Sequence, residues 1–201
     1  MSNPTQRLHA AIAAVDAANS ADPNRVVVEG EELPAELVYG QRMSAMLDRV
    51  YPDASEALRL AVRAQHIRRW QVPRASYPMD RPGYLRWRKE LGRKHAEWAG
   101  EILGACGYDP EDIARVGSLL RKENLRRDAE TQALEDVAAL VFLLHYAEDF
   151  AAKHAPEKVV TILAKTLAKM SEHGQEAAGG LGLAPAVRHA LEAAIVQATD
   201  P

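Results

Sequence analysis

Cysteine is almost absent, with Cys106 the only one in the chain. A lone thiol excludes an internal disulfide and a cysteine-built zinc site, and with them the small stapled folds. Long apolar runs are also missing. The longest, residues 137–144, is about half the eighteen or so residues that a membrane span requires, so it suits a buried core helix. The opening MSNPTQRLHAAIAAVDAANSADP has no basic stretch leading into a long apolar one, so no signal peptide is expected and a cytoplasmic location is. There is no excess of positive charge, because 25 Lys and Arg face 28 Asp and Glu for a net charge of −3. A long polyanion usually needs a broad basic face, so neither nucleic acid nor a membrane is the expected partner. Internal repeats, low-complexity tracts and strand-like alternation of useful length are lacking as well.

What the sequence does contain is helical period. Its 201 residues, 47% hydrophobic and 26% charged, suffice for one well-buried domain plus a short appendage. Leu8, Ile12 and Val15 mark a first helix over residues 4–19. Residues 21–33 read as a loop with a short extended run at Val26 and Val28. Pro34 opens a second helix with Tyr39, Met43, Met46, Leu47 and Val50 inward. A third, roughly 54–69, turns Leu58, Val62, Gln65 and Arg69 to the core, with Ala61 and His66 alongside. The fourth runs from about Gly83 to 105 with Leu91, His95, Trp98 and Ile102 in line, and Gly107 stops it. Asp109-Pro110-Glu111-Asp112 starts the fifth. Asp128 caps a sixth over 129–154, apolar nearly all round between 137 and 147 and therefore central. Residues 157–171 make a seventh, 177–183 are glycine-rich, and 185–197 form a weak final helix. The expected fold class is all-α, with six or seven main helices.

Cationic charge is concentrated in residues 65–89. There Arg68, Arg69, Arg74, Arg81, Arg86, Arg88 and Lys89 face one acid, Asp80, and are interleaved with Trp70, Tyr77, Tyr84 and Trp87. Pro73, Pro78 and Pro82 stiffen the middle. Arginine forks bind phosphate or carboxylate bidentately and aromatic rings cover a base or a guanidinium, so an anionic small molecule is the expected ligand. The bland alternative is a solvated loop paired with acids elsewhere. His66 and His95, with Glu135 or Asp136, offer two imidazoles and a carboxylate that suit one divalent transition metal (Zn, Fe or Mn), or a pair of hydrogen-bonded interior histidines. Arg69 is the expected partner of Asp136 if both are buried. Cys106 reads as a structural thiol.

The strings QHIRRWQVPRASYPMDRPGYLRWR, KHAEWAGEILGACGY, RKENLRRD, ETQALEDVAALVFL and KTLAKMS resemble the DUF4202 family over nearly the whole chain, from about residue 1 to 174. A more distant resemblance is to HD-domain helical bundles, the fold of many metal-dependent phosphohydrolases. In those, an apolar helix ends in His-Asp, where this chain has Gln65-His66, and Asp136 in LEDVAALV matches the last metal-binding aspartate. Gln65 stands in the place of a ligand histidine, His66 in that of the bridging aspartate, and no histidine lies near 39–42. The resemblance therefore implies an HD-like bundle over 1–174, a C-terminal helical extension over 175–201, and at most one metal.

The resulting expectation is a site for a phosphate-bearing, nucleotide-like small molecule. Arg68, Arg69, Arg74, Arg81, Arg86, Arg88 and Lys122 hold the anion, Trp70 or Tyr77 covers the ring, and Gln65 hydrogen-bonds. His66, His95 and Asp136 are the acid, base or metal ligands for hydrolysis or transfer at phosphorus. The alternative is a non-catalytic ligand-sensing or protein-interaction module on a degenerate HD fold.

Overall fold

Helical spacing of apolar residues dictates most of the architecture seen in the computed structural model, which describes Pro4–Thr199. Residues 1–3 and 200–201, the ends of the expected domain and extension, lie outside the described residues. The elements in chain order are α1 (Pro4–Asn19), β1 (Arg25–Val28), β2 (Glu31–Pro34), α2 (Ala35–Val50), α3 (Glu56–Arg63), two 3-10 turns (Arg69–Gln71 and Arg74–Ser76), α4 (Arg81–Ala105), α5 (Pro110–Leu120), α6 (Ala129–His145), α7 (Ala147–Ala152), α8 (Pro156–Leu167), α9 (Glu172–Gly179) and α10 (Pro185–Thr199). The chain is essentially all-α. Among the described residues no helix is long and apolar enough to cross a membrane.

Two compact units divide the chain, Met1–Thr131 and Gln132–Pro201. In the first, α4 packs along α5, while α3 lies against α2 and α5, and α1 against α2, α3 and α4. Its core is Val15, Met43, Leu47, Leu58, Leu60, Val62, Leu91, Leu103, Val116 and Leu119, all buried. The short extended run expected near Val26 is one arm of a hairpin, in which β1 pairs antiparallel with β2 and Val27 faces Glu32. Glu29 (φ 52°) and Gly30 (φ 89°) form its turn, the left-handed pair that a tight hairpin requires.

Asp128 caps α6 as expected, its Oδ1 accepting from the Glu130 and Thr131 N–H groups at 3.0 Å each. Arg115 binds both Asp128 and Glu130, holding the Asp128 carboxyl well below the usual carboxylate range. The expected single helix over 129–154 is instead two, because the backbone kinks at Tyr146 (φ −130°, ψ −19°) between α6 and α7. In the second unit α10 packs on α7 and α8. Helix α9, with Ser171 Oγ accepting from Gly174 N at its N-terminus, takes in only the start of the glycine-rich stretch, and residues 180–183 are non-helical.

Candidate functional site

The turn that carries the candidate residues begins where α3 stops, at Arg63, several residues short of the expected end near 69. Gln65 N and Ile67 N are drawn into tight turns on Val62 O and Ala64 O. Arg68 takes a left-handed conformation (φ 50°, ψ 29°), and its N–H donates to Asn19 Oδ1 at 3.0 Å. Asn19 is buried at the end of α1. A buried side-chain acceptor thus captures the backbone donor that would have continued the helix. Ile67 is sealed in the core, and Gln65, His66 and Arg69 are fixed around it.

His66 is held by three groups. Glu36, in the first turn of α2, lies 3.0 Å from His66 Nδ1 through Oε2. Tyr39, one turn on, stacks on the imidazole with centroids 3.8 Å apart and planes 9° from parallel. Glu36 is positioned by Asp22, which is fully buried and accepts the Glu36 N–H at 2.9 Å. The other Glu36 oxygen lies 3.7 Å from Arg69 Nη1. Arg69 therefore pairs with Glu36, a partner the sequence did not suggest.

Burial dominates the proton affinities here. It pushes the Glu36 carboxyl up to about 7, with Arg69 pulling down and Asp22 pushing up. It also holds His66 well below an ordinary histidine, and the charges of Arg69, Lys122 and Arg88 add to this. His95, on α4 with its ring centroid 6.1 Å from that of His66, is depressed in the same way by burial, His66, Arg69 and Lys122. Both imidazoles are neutral at pH 7. When Glu36 is ionised, His66 Nδ1–H donates to it and Nε2 presents a lone pair. When Glu36 is protonated, the carboxyl donates and Nε2 carries the hydrogen.

Two polar atoms in this region have no partner among the described residues. Gln65 Oε1 and His95 Nε2 are buried and make no hydrogen bond, on residues only 9% and 4% exposed. Each such atom costs about 1–3 kcal/mol when left unmatched, so a bound molecule or water that matched them would recover that energy. Two cations, Arg69 and Lys122, bear on both histidines, and Arg88 bears on His66 as well. Lys122 sits in a left-handed turn (φ 55°) after α5.

The proline-stiffened segment before α4 is tied to itself. Arg74 donates to Tyr77 O at 3.0 Å and Asp80 O at 3.3 Å. Asp80 caps α4 through Gly83 N at 2.7 Å. A Cβ at Gly83 would lie 2.1 Å from Pro78 O, so only glycine lets the segment close on the helix. Trp87 is buried, donates Nε1–H to Val72 O at 2.9 Å, and has the Arg69 guanidinium over its ring at 5.1 Å. Arg74 is therefore a structural clasp. Arg68 lies 4.0 Å from Glu101, Trp70 and Tyr77 are half-buried, and Arg88 approaches the exposed Tyr84 ring at 6.0 Å. Arg81 and Arg86 are exposed and take part in no ion pair among the described residues.

Asp136 belongs to the second unit, where it is fully buried. It accepts from Ser171 N at 2.8 Å, from Ser171 Oγ, and from Gln132 Nε2 at 3.0 Å. It is the post on which α9 is hung. Glu135 beside it is buried as well. Among the described residues no group of three or more His, Cys, Asp or Glu side chains could hold a metal ion. With His66 Nδ1 engaged by Glu36, the residues do not fit the single-metal expectation, and no chemical step is derived through a metal.

Sequence reasoning missed Glu36. As an acid in a helix's first turn it carries the signature of a dipole-complementing surface residue, and nothing local marks it as the partner of a residue thirty positions away. Tyr39 was legible only as a core-stripe residue. The family model described as "Domain of unknown function (DUF4202)" matches residues 9–191, and the chain belongs to that family. No curated protein and no solved structure matches it.

Proposed function

We propose that the first unit binds a phosphate-bearing, nucleotide-like small molecule at the turn formed by residues 65–70. The observation that carries this reading is the convergence of Arg69 and Lys122 on two histidines that stay neutral, joined by Arg88 at His66, with the Glu36 carboxylate paired there. Excess positive charge beside low-dielectric groups favours an anion. The unmatched Gln65 Oε1 and His95 Nε2 supply hydrogen-bonding sites that recognise polar edges. Trp70 and Tyr77 offer aromatic surface for a base.

The chemistry this arrangement suits is transfer or hydrolysis at phosphorus. With Glu36 ionised, His66 Nε2 is a general base. It takes the proton of an attacking water or hydroxyl as the new O–P bond forms. The leaving oxygen departs with the electrons of the old P–O bond and takes a proton from solvent. Arg69, Arg88 and Lys122 neutralise the phosphoryl oxygens.

A thermal-shift panel of nucleotides, sugar phosphates and inorganic phosphate tests binding. A ligand at about one hundred times its dissociation constant adds roughly 2.7 kcal/mol of stability. A shift lost in His66→Gln and in Lys122→Ala supports the site, whereas shifts unchanged in both variants, or none at all, reject it. A second reading is a ligand sensor without turnover, favoured by Gln65 standing where HD-domain enzymes, which the chain distantly resembles, carry a ligand histidine. Incubating a hit with the protein and following free phosphate separates the two.

A further inference from the structure

Helix α4 turns Gly83, Trp87 and Leu91 inward, all buried. Its first two turns set Arg81, Tyr84, Leu85 and Arg88 at i, i+3, i+4 and i+7 on another face, open to solvent. The exposed large hydrophobic residues include three within seven positions here: Met79 at 79%, Leu85 at 55% and Tyr84 at 42%. Arg81, Arg86 and Lys89 flank them along the chain, and their side chains make no hydrogen bond or ion pair among the described residues. Several arginines elsewhere are matched, Arg59 with Asp48, Arg93 with Glu90 and Glu97, Arg115 with Asp128 and Glu130, and Arg121 with Glu123, whereas Arg25, Arg126 and Arg127 are exposed and in no ion pair among the described residues. On a chain of net charge −3, unmatched cations gathered around bare apolar side chains mark a docking surface.

The same unit carries its chemical complement. The β1–β2 hairpin exposes Val27 at 63%, with Glu32 directly across from it. Glu29, Glu31 and Glu32 are exposed, and their side chains make no hydrogen bond or ion pair among the described residues. This is an acidic tip around one bare aliphatic residue, held in shape by its tight turn and cross-strand pairing.

We propose that the chain associates with itself, the acidic hairpin of one copy seating on the Met79–Tyr84–Leu85 patch of another. Val27 meets the apolar side chains while Glu29, Glu31 and Glu32 meet Arg81, Arg86 and Lys89. The contact joins two different surfaces, so it closes as a pair when each hairpin occupies the other copy's patch, and grows into longer assemblies when it does not. Most of the attraction is between exposed charges, which makes it sensitive to salt.

Sedimentation velocity of the full chain across a concentration series, at low and high salt, tests this. Wild type is expected to assemble at low salt and dissociate as salt rises. The paired reversals Arg81→Glu/Arg86→Glu and Glu31→Lys/Glu32→Lys are each expected to lower the association constant by at least about tenfold, with circular dichroism confirming the fold. Mixing the two reversed proteins restores complementary surfaces and is expected to restore assembly, in mixed particles only. A wild type that stays monomeric throughout overturns the proposal and leaves the patch to an acidic partner of another kind. Assembly indifferent to both reversals, or reversed proteins that do not recombine, overturns it equally.

Discussion

Replacing Glu36 by glutamine is expected to stabilise the folded chain at about pH 8 and to change it little at about pH 5. The Glu36 carboxyl sits at about 7 instead of its ordinary 4.5 because burial penalises its charge. That difference corresponds to about 3 kcal/mol of cost for the ionised form. The sign follows from proton binding. Between the two values the folded chain holds a proton that the unfolded chain has released, so stability falls as pH rises from 4.5 to 7 and stays lower above. Glutamine has the same shape, can meet His66 Nδ1 as donor or acceptor, and carries no charge to desolvate. The attraction of Arg69 at 3.7 Å is already contained in that net cost, so its loss takes nothing further away. The expectation is a gain of about 3 kcal/mol at the higher pH and near zero at the lower. Urea unfolding followed by circular dichroism at both pH values reads it directly. A variant destabilised by the same amount at both pH values would refute the reasoning, since Glu36 would then be a structural acceptor and not a strained charge.

Other perturbations have equally definite outcomes. Gly83→Ala places a Cβ against Pro78 O and is expected to cost roughly 2–4 kcal/mol. Because the displaced segment carries Val72, the acceptor for Trp87 Nε1–H, a red shift of tryptophan fluorescence and faster proteolysis near residues 71–80 should accompany it. Asp136→Asn sets an amide among three donors in a buried site and is expected to cost roughly 2–4 kcal/mol, read by thermal unfolding. His66 and His95 are held well below 6.5, so the unfolded chain takes up protons that the folded one refuses as pH falls below that value. Stability should fall on that side by up to about 1.4 kcal/mol per pH unit for each histidine, offset in part by Glu36, and His95→Gln should flatten the slope.

The helical framework was legible because its signals are local. Asp109-Pro110 and Asp128 cap where their chemistry says they should, and Leu58, Val62, Leu91 and Val116 keep helical period on the core side. The third helix was read too long because its sequence remains helix-like to Arg69. What ends it is Asn19, a residue far away that claims the Arg68 N–H. The arginine segment was legible as dense charge, but not as a division of labour. Arg74 binds carbonyls, Arg69 pairs with Glu36 over Trp87, and Arg81 and Arg86 face solvent. Which of several cations is occupied depends on the fold and not on spacing. Glu36 and Tyr39 were invisible as site residues for the same reason, since their meeting with His66 is a tertiary event.

Nitrogen-15 spectra of histidine-labelled protein, assigned with His66→Gln and His95→Gln, test the anion site most directly. On titration with a nucleoside monophosphate, and separately with inorganic phosphate, the His66 and His95 ring signals should move together and saturate, while those of His9 and His189 stay fixed. Ring signals of His66 and His95 that remain still, or drift linearly with those of His9 and His189 as ionic strength rises, would contradict a phosphate site at this turn.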